Sequence, residues 1–251
     1  MNPLPDLRVA SWNLKSCEFG LERIATELKA LDADVVALQE VDRGTLRSGR
    51  LDQVQELASR AGFSHFHFFK AVDWNPGDYG LGLLARWPLG DTRTLPLPVP
   101  RGLEPRILAS ASLTLPSGLV RVHVTHLTHV FTERALRRRQ VRFILDAIEA
   151  DAHPHALLLG DFNDLPGSPM HQEASGALQD VFATSGEGPG GTFPFISPLV
   201  AVPRIDYAFA TPALRPLRSR VKRTDASDHF ILTAELQHVR EDVALPARSA
   251  R

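Results

Sequence analysis

The chain has 251 residues, with 28 Lys and Arg against 29 Asp and Glu, 43% hydrophobic residues and 23% charged ones. A chain of this length buries roughly 70 to 75% of its unfolded surface and needs no covalent staple to fold; its single cysteine, Cys17, excludes disulfide scaffolds, cysteine-based zinc fingers and CxxC redox sites. A formal charge of −1 supplies no global basic field for nucleic acid, and no apolar run approaches the 18 or so residues that span a bilayer.

The first residues carry neither a basic head nor an apolar stretch, so no secretory signal and a cytoplasmic location are expected. Residues 8–13 read as a strand. Leu21, Ile24, Ala25, Leu28 and Leu31 then recur at helical spacing behind Gly20 as a cap, and residues 35–38 form a short apolar run that predicts a buried strand. Asp73-Trp74-Asn75-Pro76-Gly77-Asp78 is turn-rich, residues 79–85 predict another buried strand, and the four prolines within 95–105 predict loop. A strand over 107–113 follows. Residues 119–127 alternate as a strand, Thr132 is placed to cap a helix reaching about Ala150, and residues 155–160 are again a short buried run.

The strand, helix, strand order thus occurs twice, and Arg8-Val9 with Leu14 matches Arg121-Val122 with Leu127. This predicts two related halves forming one core, in a single domain over residues 1–238. Residues 184–203, rich in Gly and Pro and carrying Phe193 and Phe195, predict a long surface loop suited to substrate selection. Residues 204–210 and 230–236 read as closing strands, and 239–251 as a flexible tail.

The buried runs end in polar residues, and strand carboxyl ends are where ligands gather in sheets with helical crossovers. Asn13, Glu40, His126, Asp161, Asn163, Asp206, Asp228 and His229 all sit on or just past apolar strands. Any one of them is most simply a helix or turn cap; eight together are not. Glu40, Asp161, Asp228 and the amide oxygens of Asn13 and Asn163 are hard donors that suit Mg²⁺ or Mn²⁺ rather than zinc. An ion held there binds a phosphate oxygen and activates water, which makes phosphoryl chemistry the natural expectation. Histidine has the pKa for the accompanying proton transfers, and Asp206 is placed to orient the ring of His229.

His123, His126 and His129 invite a zinc reading, but residues three apart in a strand point to opposite faces, so exposure or a core hydrogen bond is expected for His123 and His129. Arg134, Arg137, Arg138, Arg139 and Arg142 lie around the circumference of the second helix and read as a solvated face rather than a phosphate track. Arg106 is the better candidate for a phosphate contact. Trp12 and Trp87 are expected in the core, while Trp74, in a polar loop, is a candidate for stacking on substrate.

In these residues the chain resembles the endonuclease/exonuclease/phosphatase superfamily, the deoxyribonuclease I-like group. Its blocks appear in the family's order: Ser11-Trp12-Asn13, Val36-Ala37-Leu38-Gln39-Glu40-Val41, Thr125-His126-Leu127, Gly160-Asp161-Phe162-Asn163 and Ser227-Asp228-His229, with Arg204-Ile205-Asp206-Tyr207 resembling the penultimate strand. The resemblance implies an α/β fold, a four-layered α/β sandwich of two packed mixed sheets flanked by helices. It implies Glu40 as principal metal ligand with Asn13 and Asp228 beside it, and Asp161 and Asn163 orienting water and phosphate. Asp206 with His229 would form the proton-transfer pair, and His126 would contact the phosphate or leaving group. Lys15 stands where the family often has a second Asn. Asp78 is the candidate acidic partner of His126, and the signature of abasic-site endonucleases is absent.

The expected activity is therefore that of a Mg²⁺- or Mn²⁺-dependent phosphoesterase, a phosphodiesterase or nuclease, with a phosphate ester as partner, nucleic acid included, and no protein partner. A lipid or small-molecule phosphate as substrate is the alternative. A non-catalytic binding module on the same fold is the third reading.

Overall fold

The structure, a computed structural model, describes residues 6–194 and 202–239. Its strands are β1 (Leu7–Asn13), β2 (Val35–Arg43), β3 (His65–Trp74), β4 (Gly77–Ala85), β5 (Leu89–Pro96), β6 (Ile107–Leu115), β7 (Gly118–His126), β8 (Ala156–Asp161), β9 (Gln179–Asp180), β10 (Asp206–Ala210), β11 (Leu214–Lys222) and β12 (Ile231–His238). Its helices are α1 (Leu21–Lys29), α2 (Gln53–Ala61), α3 (Arg134–Asp151), α4 (Pro169–Ala177) and α5 (Val181–Ser185).

The strands form two six-stranded sheets, ordered β11-β12-β1-β2-β4-β3 and β5-β6-β7-β8-β10-β9. In both sheets the third and fourth strands pair in parallel and every other pairing is antiparallel. The two parallel pairs are the ones joined by α1 and α3. The match reaches single hydrogen bonds: Leu14 N–H donates to Gln39 O at 3.0 Å, and Leu127 N–H to Asp161 O at 2.9 Å. The duplication expected from residues 8–14 and 121–127 is thus built into the sheets.

The sheets pack face to face over a core that includes Val9, Ala37, Leu83, Val124, Leu159, Ala208 and Leu232. Each outer face carries its own apolar layer, with α1 and α2 over the first sheet and α3 and α4 over the second. Helix, sheet, sheet, helix is the four-layered sandwich expected from the resemblance. Val35 to Leu38 are fully buried because a parallel strand covered on both faces has no wet side. Removing each such Val or Leu side chain from water contributes roughly 1.5–3 kcal/mol.

Several local expectations need correction. Helix α3 begins after Glu133, with no side-chain cap from Thr132. The proline-rich stretch is not all loop: Leu95 and Pro96 end β5, an edge strand where a missing N–H leaves no ladder bond unmade. Trp74 ends β3 rather than lying in a loop, and Trp87 is 36% exposed instead of buried, its indole N–H 3.4 Å from Asp34 Oδ1. Thr184 and Ser185 belong to α5, and residues 186–194 are irregular apart from one bridge at Gly186. Phe195 and residues 240–251 of the expected tail lie outside the described residues. Among the described residues no helix is long and apolar enough to cross a membrane.

Candidate active site

Strand alternation builds the site. Along β7 the side chains of Val120, Val122 and Val124 point into the inter-sheet core, so period two sends His126 the same way. Leu157 and Leu159 do this for Asp161, Ala210 and Ala208 for Asp206, and Leu7 and Val9 for Asn13. The register pairs His126 and Asp206 with Asp161 from either side. Gly160 permits this closeness, since a β-carbon there would meet Thr125 O at 2.0 Å. The inner stripe of each of these strands is therefore largely apolar, with Ser11 the polar exception on β1, and turns polar at one common edge.

Glu40 reaches the same edge by breaking the rule. Val36 and Leu38 face the outer layer, and strict alternation would send Glu40 there too. Instead β2 bulges between Gln39 and Val41, Glu40 takes φ 55°, and Val41 resumes the outward phase. The extra residue is the carboxylate that the site receives. Opposite lies Gly80, with a second bulge on its other flank between Lys70 and Val72.

At the common edge one amide joins two carboxylates. Asn13 Nδ2 donates to Glu40 Oε1 at 2.8 Å and to Asp161 Oδ2 at 3.0 Å, while its Oδ1 accepts from Lys15 N–H at 3.0 Å. These three partners fix which end of the amide is which. Asp161 Oδ1 accepts from Asn163 N–H at 2.9 Å, and Asn163 Nδ2 donates to Leu127 O at 3.2 Å.

His229 Nδ1 donates to Asp206 Oδ2 at 2.9 Å, and its Nε2 stands 3.8 Å from Asp161 Oδ2. Burial alone lowers the His229 pKa, but the charge and hydrogen bond of Asp206, with Asp161 and Asp228, outweigh it and raise the ring above the usual histidine range. Burial and the neighbouring Asp206 raise Asp161, against the opposing effects of His229 and Asn13. The His229 ring is thus held between the carboxyl groups of Asp206 and Asp161. Asp206 Oδ1 is buried without a partner among the described residues.

His126 is built for the opposite state. Arg106 Nη1 lies 3.1 Å from its Nδ1, and a guanidinium only donates, so the ring proton sits on Nε2. That nitrogen faces Asp161 Oδ2 at 3.5 Å and Glu40 Oε1 at 4.0 Å. Burial, then the charges of Arg106, His229 and His129, hold the His126 pKa well below its ordinary value, so the ring is neutral. Arg106 is itself buried, 2.8 Å from Glu104 Oε1 and 3.1 Å from His129 Nδ1.

Asp228 stands at the mouth, its Oδ2 3.1 Å from Lys15 Nζ, and it raises the Lys15 pKa. Ser227 ties this segment to β1, its Oγ donating to Asn13 O at 2.7 Å.

Asn13, Glu40, His126, Asp161, Asn163, Asp206 and His229 thus meet in one hydrogen-bonded or close-contact network, with Asp228 at its rim and Arg106 behind His126. Trp74 has no bond to this network; its ring lies under the Arg47 guanidinium at 4.4 Å and against Tyr79. Asp78 is not the partner of His126, because it is held by Arg43 and Lys70 at the far side of the β3–β4 hairpin. Arg137 is not on a solvated face but buried, bonded to Asp164 Oδ2 at 3.0 Å and Val130 O at 2.8 Å. His123 takes a buried bond with Ser110 on the outer face, as alternation requires. His129, read as background, borders the site through Arg106. No signal in the sequence joins His129 to Arg106, 23 residues before it.

Residues 10–229 match the Endonuclease/Exonuclease/phosphatase family, and the chain belongs to it. It is 26% identical over 235 residues to the uncharacterized protein YbhP of Escherichia coli (strain K12), covering 87% of this chain and 88% of that one. An endonuclease/exonuclease/phosphatase from Beutenbergia cavernae DSM 12333 superposes with TM-score 0.75 at 28% identity, over 93% of this chain and 72% of that one. A functionally unknown conserved protein from Enterococcus faecalis V583 superposes with TM-score 0.79 at 22% identity, over 93% of this chain and all of the other.

Proposed function

We propose that the chain is a divalent-metal-dependent phosphoesterase that hydrolyses P–O bonds by in-line attack of water. The observation that carries this reading is the His229 ring, hydrogen-bonded to Asp206 at 2.9 Å and facing Asp161 at 3.8 Å, next to an amide that binds Asp161 and Glu40 together.

The residues fit a hard divalent cation. Glu40 and Asp161 converge on one amide NH₂, and with Asp161 Oδ1 taken by the Asn163 N–H it is the second oxygen of Glu40 that is left as a hard anionic donor of the kind Mg²⁺ or Mn²⁺ takes. Asp161, Asp206 and His229 also offer ligand atoms within 4.8 Å of one another, close enough for a metal ion. In that trio, however, Asp206 Oδ2 and His229 Nδ1 are spent on each other, and an imidazolium repels a cation. The ion is better assigned to Glu40, because Asn13 turns its NH₂ toward Glu40 and Asp161 with its Oδ1 on the Lys15 N–H, and Asp228 is paired with Lys15. When bound, it would polarise the phosphoryl oxygen and offset developing charge.

The chain's own groups supply the rest. Asp161, whose pKa is raised, accepts a proton from the attacking water more readily than an ordinary carboxylate does. His229, already protonated, donates a hydrogen bond to a phosphoryl oxygen rather than acting as base. His126 Nε2–H and the Asn163 side chain are neutral groups for orienting the phosphate. Replacing Glu40 with Gln and His229 with Ala, assayed on bis(p-nitrophenyl) phosphate, p-nitrophenyl phosphate and DNA with each metal, should lower turnover by about 10²-fold or more. Wild-type turnover in both variants would refute the reading.

For the substrate, the second reading of a small-molecule or lipid phosphate is favoured by the state of the α3 arginines. Arg137 is buried, and Arg138 and Arg142 are both taken up by Glu173. Phe131 and Leu165, in the loops that follow β7 and β8, are 77% and 46% exposed. A polynucleotide substrate would instead show KM rising steeply with salt.

A further inference from the structure

The three residues after Leu14 adopt a backbone that L side chains disfavour. Lys15, Ser16 and Cys17 have φ of 45°, 52° and 58°, in succession and without a glycine. Isolated left-handed residues are ordinary, but three together persist only where the surroundings hold them. Here the holding groups are on hand. Asn13 Oδ1 takes the Lys15 N–H at 3.0 Å, and buried Gln53 donates from Nε2 to Ser16 O at 2.7 Å while its Oε1 accepts from Asp42 N–H at 2.8 Å. Cys17 N–H closes the turn on Leu14 O at 2.9 Å.

The turn returns the Lys15 side chain to the site. Its ammonium lies 3.1 Å from Asp228 Oδ2 and 5.7 Å from the centre of the Phe19 ring, so carboxylate and aromatic face hold it in place. From this geometry we infer that Lys15 is a built-in cation taking the place of a second divalent ion: it neutralises Asp228 and presents its ammonium to the substrate phosphoryl group, leaving one metal ion on the Glu40 side.

The chemistry follows from charge. A carboxylate already paired with an ammonium has little to offer another cation, and a divalent ion within ligand distance of Asp228 would sit a few ångströms from a fixed positive charge. An ammonium also has three donors, so two remain for phosphoryl oxygens after Asp228 is served.

The inference rests on the phosphoesterase reading, and metal counting separates the two. Chelator-stripped protein is titrated with Mn²⁺ alone, free and bound ion being counted by electron paramagnetic resonance. Inorganic phosphate binding is then measured by calorimetry on the Mn²⁺-loaded protein. The wild type should bind one Mn²⁺ per chain. Lys15→Asn, a residue that tolerates left-handed backbone, and Lys15→Met should each bind two and, at one bound Mn²⁺ per chain, lose about tenfold in phosphate affinity, whereas Lys15→Arg should still bind one. Two ions on the wild type, or one on the wild type and on both Lys15→Asn and Lys15→Met, would overturn the role of Lys15 while leaving the phosphoesterase reading intact. No Mn²⁺ on the wild type would overturn both.

Discussion

Asp206 and His229, 23 positions apart, form a hydrogen bond of 2.9 Å in which neither side chain is more than 6% exposed. The carboxylate does two things for the ring: it fixes the proton on Nδ1, and it stabilises the imidazolium in a place where burial alone would discharge it. Asp206→Asn keeps the shape and loses the charge. Turnover on bis(p-nitrophenyl) phosphate should fall by about 10²–10⁴-fold with KM changed little. Activity within a few-fold of wild type would show that His229 needs no anionic partner.

The placement of Glu40 depends on a glycine across the sheet. Both strands flanking Gly80 bulge against it, and a β-carbon there would meet Phe69 O at 2.0 Å. Backbone cannot yield as a flexible side chain does. Gly80→Ala should therefore destabilise the protein by roughly 1–3 kcal/mol, seen in the urea midpoint. Gly90, where a β-carbon would meet nothing within 4 Å, is the control, and Gly90→Ala should change stability by less than about 0.5 kcal/mol. Equal effects at the two positions would remove the steric argument.

Bulges also explain where the sequence stopped being legible. Asn13, His126, Asp161 and Asp206 could be placed from residues alone, because each continues an apolar stripe of period two to its end. For Glu40 the chemistry is legible, a hard donor just past an apolar run, but its direction is not: counting by twos from Val36 and Leu38 points it outward, and only the bulge turns it inward. Arg106 reads as a candidate for a phosphate contact because nothing local shows that two histidines 20 and 23 residues later flank its guanidinium. β3, β5 and β11 are not legible for a different reason. Their residues are half-wet, as in Lys70, Arg93 and Arg218, so their alternation is diluted by charge, and neighbouring strands supply the hydrogen bonds that the pattern does not announce.

The contact between Arg106 and His126 sets a tautomer that can be observed directly. With a guanidinium donor 3.1 Å from Nδ1, His126 should carry its proton on Nε2 at neutral pH, visible in ¹⁵N shifts of the imidazole. Arg106→Gln should give a mixture of tautomers and at least tenfold slower turnover, and Arg106→Lys, which keeps a donor, should restore the Nε2–H form. A wild-type ring protonated on Nδ1 would contradict the assignment of His126 as a donor to phosphate.

His123, far from this chemistry, sets part of the pH dependence of folding. It is 2% exposed, bonded to Ser110 Oγ at 2.8 Å through Nδ1, with Nε2 lacking a partner among the described residues. Burial, and then the nearby charge of Arg121, push its pKa down to about 4. In the unfolded chain the same ring takes up a proton near 6.5. Between those values the unfolded state binds the extra proton, so the neutral ring's contribution is fully present above about pH 6.5 and is lost as pH falls toward 4. The shift corresponds to about 3 kcal/mol at most. Urea midpoints measured from pH 7.5 to 4 should therefore fall more steeply for the wild type than for His123→Gln, which cannot titrate. Parallel curves would mean that His123 takes up its proton at the same pH folded and unfolded, and that burial does not depress it.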